Sequence, residues 1–223
     1  MSVREDLLQK RIFIMDLDGT LIDSRKRHAV VMEEILAHTK RSIDPEEYMN
    51  YKAEGNSGLK YLNEVMGIDM PDAREIQQEW KARIEFSGYL LTDELYPDAV
   101  SFLNTVFEKG GVIFLTARKN KTGLDGELKR LAILPYADYT IVADPDDAMS
   151  QKERAVSVIR EAYPEARLTV IGDTENEYEL AQKFGLECMI LNCGFRSRQY
   201  WEKRGVKTYS CLGDVLRELF RTA

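Results

Sequence analysis

The chain has 223 residues, 44% of them hydrophobic and 31% charged, with a formal net charge of −7. This length fits one domain, or one domain with a sizeable insertion, and the apolar content suffices for a core. An acidic chain with no long basic run is a poor sequence-independent nucleic-acid binder, and no apolar run is long enough for a transmembrane helix.

The opening MSVREDLLQKR is charged and is followed by only a short apolar stretch. It lacks the apolar region of a signal peptide, so a cytoplasmic location without membrane association is expected. Residues 11–16 (RIFIMD) are the first short apolar run, bounded by turn residues. Such runs suit strands buried on both faces of a parallel sheet. Residues 24–92 contain no convincing strand. Helices are predicted over 26–39, 45–52 behind an Asp44/Glu47 capping box, 59–66 and 73–86. The basic cluster Arg25, Lys26, Arg27 reads as a solvated helix face, and residues 54–58 (EGNSG) as a helix–helix loop. His28 and His38 lack zinc-ligand spacing, although His28 alone could contact a substrate.

Beyond residue 92, strand and helix alternate. Residues 97–108 predict a helix started by Pro97, with Val100, Leu103 and Phe107 on one face and Gly110 and Gly111 as its stop. Apolar runs recur at 111–117, 139–143, 168–172 and 188–191, and more weakly near 207–211. Ser150 with Glu153 and Thr174 with Glu177 have capping-box spacing, and Gly185 ends the second of these helices. The expected fold is α/β: a Rossmann-like parallel sheet core from residues 1–23 and 93–223, with residues 24–92 inserted as an all-helical domain over the carboxyl end of the sheet. Cys188, Cys193 and Cys211 form no metal-type pair and read as free thiols, with Cys193 a possible redox-sensitive position.

Ligands of such a sheet bind beyond the carboxyl ends of its strands. The first strand ends there in Asp16-Leu17-Asp18-Gly19-Thr20. Two carboxylates this close repel, and a hard divalent cation offsets that repulsion; a solvated turn is the competing reading. Thr116 ends the second strand, as a phosphate donor or as a cap of the next turn. Lys152 falls in the predicted first turn of a helix, opposing its dipole, which a nearby anion would rationalise; a surface lysine is the alternative. Asp173 ends a later strand, and Glu177 serves either the site or the capping box with Thr174. Arg118 reads as a phosphate clamp or an exposed loop arginine, and Arg196 or Arg198 as a contact to the insertion or substrate.

Taken in order, these elements resemble the haloacid dehalogenase superfamily. DxDGT matches Asp16 to Thr20, the apolar strand ending in Thr matches Thr116, the motif lysine matches Lys152, and GDxxxD/E matches Asp173 and Glu177. The insertion resembles the family's helical first-type cap. Departures are Ala117-Arg118 after Thr116, where many relatives have Asn or Ser and then Lys, and the absence of proline around Lys152. The resemblance implies an Asp16 nucleophile forming an aspartyl-phosphate and Asp18 as general acid, then base. It implies Mg²⁺ held by Asp16, the backbone carbonyl of Asp18, Asp173 and Glu177. Phosphate would be held by Thr116, Lys152 and Arg118, with Gly19, Thr20 and Ala117 beside it. Asp18 favours phosphate-ester chemistry over dehalogenation. The expected function is Mg²⁺-dependent hydrolysis of a small phosphorylated metabolite, against a phosphomutase or a non-catalytic binding protein on the same fold.

Overall fold

A computed structural model describes residues 2–221. Helix α1 (Val3–Lys10), capped by Ser2 and Glu5, leads into β1 (Arg11–Met15), and β2 (Ile22–Asp23) follows a tight turn. Helices α2 (Arg25–Ala37), α3 (Pro45–Ala53), the single turn α4 (Gly58–Lys60), α5 (Met70–Arg83) and α6 (Ser87–Leu90) come next, with a π-helical stretch at Tyr61–Val65. Strand β3 (Glu94–Leu95) returns to pair antiparallel with β2. Then follow α7 (Ala99–Lys109), β4 (Gly111–Ala117), α8 (Lys121–Arg130), β5 (Tyr139–Ala143), α9 (Ala148–Ala162), β6 (Arg167–Gly172), α10 (Glu175–Phe184), β7 (Glu187–Leu191), α11 (Arg198–Glu202), β8 (Thr208–Tyr209) and α12 (Leu212–Leu219).

The sheet has the order β5-β4-β1-β6-β7-β8, and each neighbouring pair is parallel. This is the expected Rossmann-like α/β core. Alternation along β1 explains its continuous apolar sequence. Phe13 and Met15 face α7, α8 and α12, packing with Phe102, Leu124 and Val215. Ile12 and Ile14 face α9 and α10, packing with Val156, Ile159 and Leu180. Each such side chain contributes about 1.5–3 kcal/mol relative to exposure. The chain steps from β1 outward to β4 and β5, then crosses back to β6 on the other side of β1. That reversal opens a crevice beyond the carboxyl ends of β4, β1 and β6, where ligands of such sheets bind.

Residues 24–92 are helical with no strand, and bring together a cluster of their own: Met32 and Ile35 of α2, Tyr48 of α3, Tyr61 and Leu62, and Ile76 of α5.

Several local expectations need correction. Helix α9 begins at Ala148, not behind Ser150, because Asp144 caps a 3₁₀ turn over Pro145–Asp147 that feeds directly into it. Ser150 instead accepts from Arg154, and Glu153 pairs with Lys183. Lys152 therefore lies in the second turn. Helix α7 buries Ala99, Phe102, Leu103 and Val106, leaving Val100 exposed, since its sheet-facing stripe is rotated from the one read in the sequence. Helices α1, α6, α8, α11 and α12 have no counterpart in the sequence reading. The Thr174–Glu177 capping box does form at the start of α10.

Candidate active site

Asp16 is the first residue past β1, and its amide donates to Ile171 O at 3.0 Å, continuing the ladder to β6. The chain then turns tightly. Gly19 adopts φ +80°, a left-handed conformation that glycine accepts at no steric cost. Its amide donates to Ile22 O at 2.7 Å and that of Thr20 to Leu17 O at 3.1 Å. Both amides are thus spent inside the turn. Gly19 and Thr20 both support Asp173: the Thr20 hydroxyl donates to Asp173 Oδ1 at 3.3 Å. A Cβ at Gly19 would lie 2.3 Å from Asp173 Oδ2, and one at Gly194 2.2 Å from the same atom. The Phe195 amide donates to Asp173 Oδ2 at 2.6 Å. A fully buried aspartate is thus seated between two glycines and under one amide.

Asp16, Asp173 and Glu177 each present a carboxylate oxygen, all within 4.8 Å of one another. Lys152 reaches into the group, its Nζ 2.6 Å from Glu177 Oε1 and 3.2 Å from Asp16 Oδ1. The other oxygen of Glu177 accepts from the Thr174 hydroxyl at 2.7 Å and its amide at 3.3 Å. One oxygen of Glu177 thus completes the capping box, while the other faces Lys152. Burial pushes Asp16 up to about 7, with Glu177 and Asp18 adding to the rise and Lys152 opposing it. Burial, Asp16 and Glu177 push Asp173 well above the usual carboxylate range. Lys152 is raised, because Asp16 and Glu177 outweigh its burial. Three carboxylates facing one ammonium leave a deficit of positive charge. A hard, oxygen-loving divalent cation fits that deficit in both charge and donor chemistry.

Asp18 sits in a different environment. Arg118 grips it through two parallel bonds, Nε to Oδ2 at 2.6 Å and Nη2 to Oδ1 at 2.9 Å, and Arg27 donates to Oδ1 as well. Burial opposes ionisation, but the two guanidiniums prevail and hold Asp18 well below the usual carboxylate range. Arg118 also reaches Glu127 Oε2 at 3.1 Å. Arg27 Nε lies 3.0 Å from Asp93 Oδ2, angled away from hydrogen-bond alignment. Burial pushes Asp93 up to about 9 against the pull of Arg27.

Arg118 is thus neither an exposed loop arginine nor a free phosphate clamp; it is 4% exposed and committed to Asp18 and Glu127. Arg27 is 1% exposed, which corrects the reading of residues 25–27 as a solvated face. The Asp18 carboxylate stands outside the acidic triad, so any metal ligation by Asp18 rests on its backbone carbonyl. Thr116, Ala117 and Lys152 border the same cavity as Asp16 and Glu177. Arg196 does meet the insertion, donating to Lys52 O at 3.1 Å, whereas Arg198 pairs with Glu202 on the surface. Burial pushes the Cys193 thiol up to about 12, which disfavours the thiolate form.

Sequence reasoning missed Arg27, Asp93, Glu127, Gly194 and the Phe195 amide. Two carried a signal. Arg27 shares a helical stripe with Val31 and Ile35, and Glu127 sits between Leu124 and Leu128 on α8; a charge on an apolar stripe needs a buried partner.

The cavity holds about 310 Å³ and is bounded by the strand ends below and by Arg27, His28, Trp80 and Ile84 of the insertion above. Glu85 accepts the amides of Lys119 at 2.9 Å and Asn120 at 2.6 Å. The Ser197 amide also donates to Ala53 O at 2.9 Å, and Lys203 pairs with Glu54. The insertion is thus fastened to the core at both Glu85 and Ala53–Glu54, and residues 54–57 connect α3 to α4, a helix–helix loop one residue shorter than read.

A family model described as haloacid dehalogenase-like hydrolase matches residues 10–185. A phosphoglycolate phosphatase of Pseudomonas fluorescens (strain Pf0-1) is 22% identical over 191 residues, 83% of this chain and 70% of that protein. A solved haloacid dehalogenase-like hydrolase from Streptococcus pneumoniae superposes with a TM-score of 0.75 at 16% identity, over 95% of this chain and 99% of the other. The protein tyrosine kinase A of Mycobacterium tuberculosis superposes with a TM-score of 0.71 at 17% identity, over 94% and 97%. At such identities the likeness speaks to the fold alone.

Proposed function

Because the chain belongs to the haloacid dehalogenase-like hydrolase family, we propose that it is a phosphatase acting on the monoester of a small phosphorylated metabolite. The observation that carries this reading is the convergence of Asp16, Asp173 and Glu177 within 4.8 Å, with Lys152 among them, at the carboxyl ends of adjacent strands. The curated relative named a phosphoglycolate phosphatase supports the same class of substrate.

In this reading Asp16 attacks phosphorus in line, forming a P–O bond to its carboxylate as the bond to the leaving alcohol breaks. Water then attacks the aspartyl-phosphate, restoring the Asp16 carboxylate and releasing inorganic phosphate. Asp16, Asp173, Glu177 and the Asp18 carbonyl would hold Mg²⁺, whose charge screens the incoming phosphate from the carboxylates. Lys152 orients Asp16 and supplies positive charge beside the phosphoryl oxygens, and Thr116 offers them a hydroxyl donor. Asp18 is placed for proton transfer, but Arg118 and Arg27 keep it too weak a base and without a proton to give. To protonate the leaving alcohol, and to take that proton back from the hydrolytic water, it must be loosened from these guanidiniums, of which Arg27 rides on α2 of the insertion. The insertion, residues 24–92, acts as a cap: it closes the cavity and excludes bulk water, with its opening admitting substrate. The cavity volume of about 310 Å³ accords with a small leaving group.

The test is phosphate release from a panel of sugar phosphates, phosphoglycolate and nucleotides, with and without Mg²⁺, beside the Asp16→Asn variant. Mg²⁺-dependent release that the variant lacks is the expected result. Release by Asp16→Asn at the parent rate would overturn the nucleophile assignment, and bisphosphate isomerisation without net phosphate would point to a mutase.

A further inference from the structure

Arg27 holds its guanidinium between two carboxylates and grips only one of them. It is 1% exposed on α2, and Asp93, the residue before β3, is 0% exposed. Arg27 Nη1 donates to Ile84 O at 3.2 Å, and Nη2 donates to Asp18 Oδ1. Nε lies 3.0 Å from Asp93 Oδ2 yet makes no hydrogen bond, and neither oxygen of Asp93 has a donor among the described residues. Arg118 Nη2, 3.9 Å from Asp93 Oδ2, is beyond hydrogen-bond reach of it. Buried donors and acceptors left unmatched at such short range are costly. Nε and Nη2 form the edge of a guanidinium that grips a carboxylate through two parallel bonds. Arg118 uses this edge whole, both atoms on Asp18, whereas Arg27 splits it, with Nη2 on Asp18 and Nε toward Asp93.

The two carboxylates belong to different parts of the molecule. Asp18 lies in the turn after β1, at the reaction centre. Asp93 adjoins the stem of β2 and β3 through which the insertion joins the core, and α2 starts just past the other leg of that stem. A tilt of the insertion about the stem therefore changes the reach from Arg27 to Asp18 more than the reach to Asp93. Of the three guanidinium bonds on Asp18, two come from Arg118, which follows β4 in the core and is tied to Glu127 as well. The third, from Arg27, is the one that a movement of the insertion can release. Asp16, Asp18 and Arg27 all border the cavity, so a leaving oxygen that approaches Asp18 from there competes with the Arg27 bond.

We propose that Arg27 is a positioning residue with two seats: it holds Asp18 while the site is empty, and turns onto both oxygens of Asp93 when a phosphoryl group is bound. The inference rests on the phosphatase reading and adds to it the step that frees Asp18 for the leaving oxygen. The turn exchanges one charge-assisted bond for a forked pair, and matches the unpartnered Nε of Arg27 with the unpartnered oxygens of Asp93. Arg27 stays buried and ion-paired in either seat, so the occupant of the cavity decides between them. The seat on Asp93 leaves Asp18 held by Arg118 alone, with room on Oδ1 for a group from the substrate.

Two measurements test this. Crystals of the parent grown without additions are compared with crystals holding Mg²⁺ and tungstate, an unreactive mimic of the phosphoryl group. Arg27 Nη2 is expected on Asp18 in the first, and Nε and Nη2 on the two oxygens of Asp93 in the second. Arg27 on Asp18 in both overturns the proposal. The kinetic test spoils the second seat with Asp93→Asn, whose amide has one acceptor oxygen and cannot take the fork. Ethyl phosphate needs a proton delivered to its leaving alkoxide, whereas 4-nitrophenyl phosphate leaves as a stable phenolate. In the variant kcat/KM, which reports the steps up to transfer onto Asp16, should fall about 10-fold or more further for ethyl phosphate than for 4-nitrophenyl phosphate, part of the about 10²–10⁴-fold that a positioned acid contributes. A purely structural role of Asp93 lowers both esters alike, and an unchanged ratio overturns the proposal. If both esters are hydrolysed while Arg27 stays on Asp18, the two seats fall and the phosphatase reading stands. If tungstate moves Arg27 but no ester is hydrolysed, the two seats stand and the phosphatase reading falls.

Discussion

Replacing Arg118 by Met should reveal how much of the fold's stability is tied up in the charge network behind the site. Arg118 is buried, bonded twice to Asp18 and 3.1 Å from the buried Glu127. At an effective dielectric near 20, charges at that separation attract by about 5 kcal/mol gross. Much of this offsets desolvation, and removing one partner of a buried pair typically costs about 3–5 kcal/mol net. For a chain of this size each kcal/mol moves Tm by about 2–4 °C, so Arg118→Met should melt roughly 6–20 °C below the parent. The pH dependence fixes the cause. Asp18 has a depressed folded pKa, so its contribution is present above the unfolded value near pH 4 and is lost as pH falls through the folded value. The deficit of the variant should therefore be greatest near pH 7 and should narrow below about pH 4. Adding Glu127→Gln, which removes a carboxyl left without its cation, should recover part of the loss. Thermal unfolding across this pH range measures all three effects. A melting point within about 2 °C of the parent at pH 7, or no recovery in the double variant, would refute the reasoning.

Divalent metal should stabilise the protein, by about 2.7 kcal/mol at a hundredfold excess over Kd, which is roughly 5–11 °C in Tm. Asp16 is pushed up to about 7 by burial, so without metal its ionisation costs stability as pH rises from about 4 to 7. Metal requires the ionised form, and the Mg²⁺-induced rise in Tm over an EDTA control should therefore grow between pH 5 and pH 8; an equal rise in Asp173→Asn would contradict the ligand set. Gly194→Ala would place a Cβ 2.2 Å from Asp173 Oδ2 and 2.3 Å from Gly19 O. Displacing Asp173 should lower Mg²⁺ affinity about 10- to 100-fold by calorimetry, as loss of a supporting contact does in other metal sites; unchanged affinity would mean that the 192–198 loop yields instead.

What the sequence made legible is what its local pattern encodes. Asp16, Thr116 and Asp173 each follow a run of apolar residues, and the run length by itself puts them at strand ends. The Thr174–Glu177 box was readable for the same reason, being complete within four residues. The Ser150–Glu153 box had identical spacing and failed, because Asp144 and Pro145 start the helix earlier and spacing alone does not compare two competing starts. Contacts between distant residues were invisible. Arg27 meets Asp93 across 66 positions, and Lys52 meets His28 across 24. Nothing local to Asp18 distinguishes a carboxylate open to substrate from one gripped by two guanidiniums. That difference decides its protonation, and it arises only when α2 and the end of β4 are brought together.

The chain leaves the core along β2 and returns along β3, and these two strands lie side by side, Ile22 opposite Leu95 and Asp23 opposite Glu94. Topologically the whole helical segment is therefore one long loop hung from a two-stranded stem. Insertions and replacements are best tolerated where the chain ends they join are already close. The stem lets the segment above it be lengthened, shortened or exchanged over evolutionary time without disturbing the register of the sheet. A lineage could thus change what its reaction centre acts upon while the centre itself stays fixed.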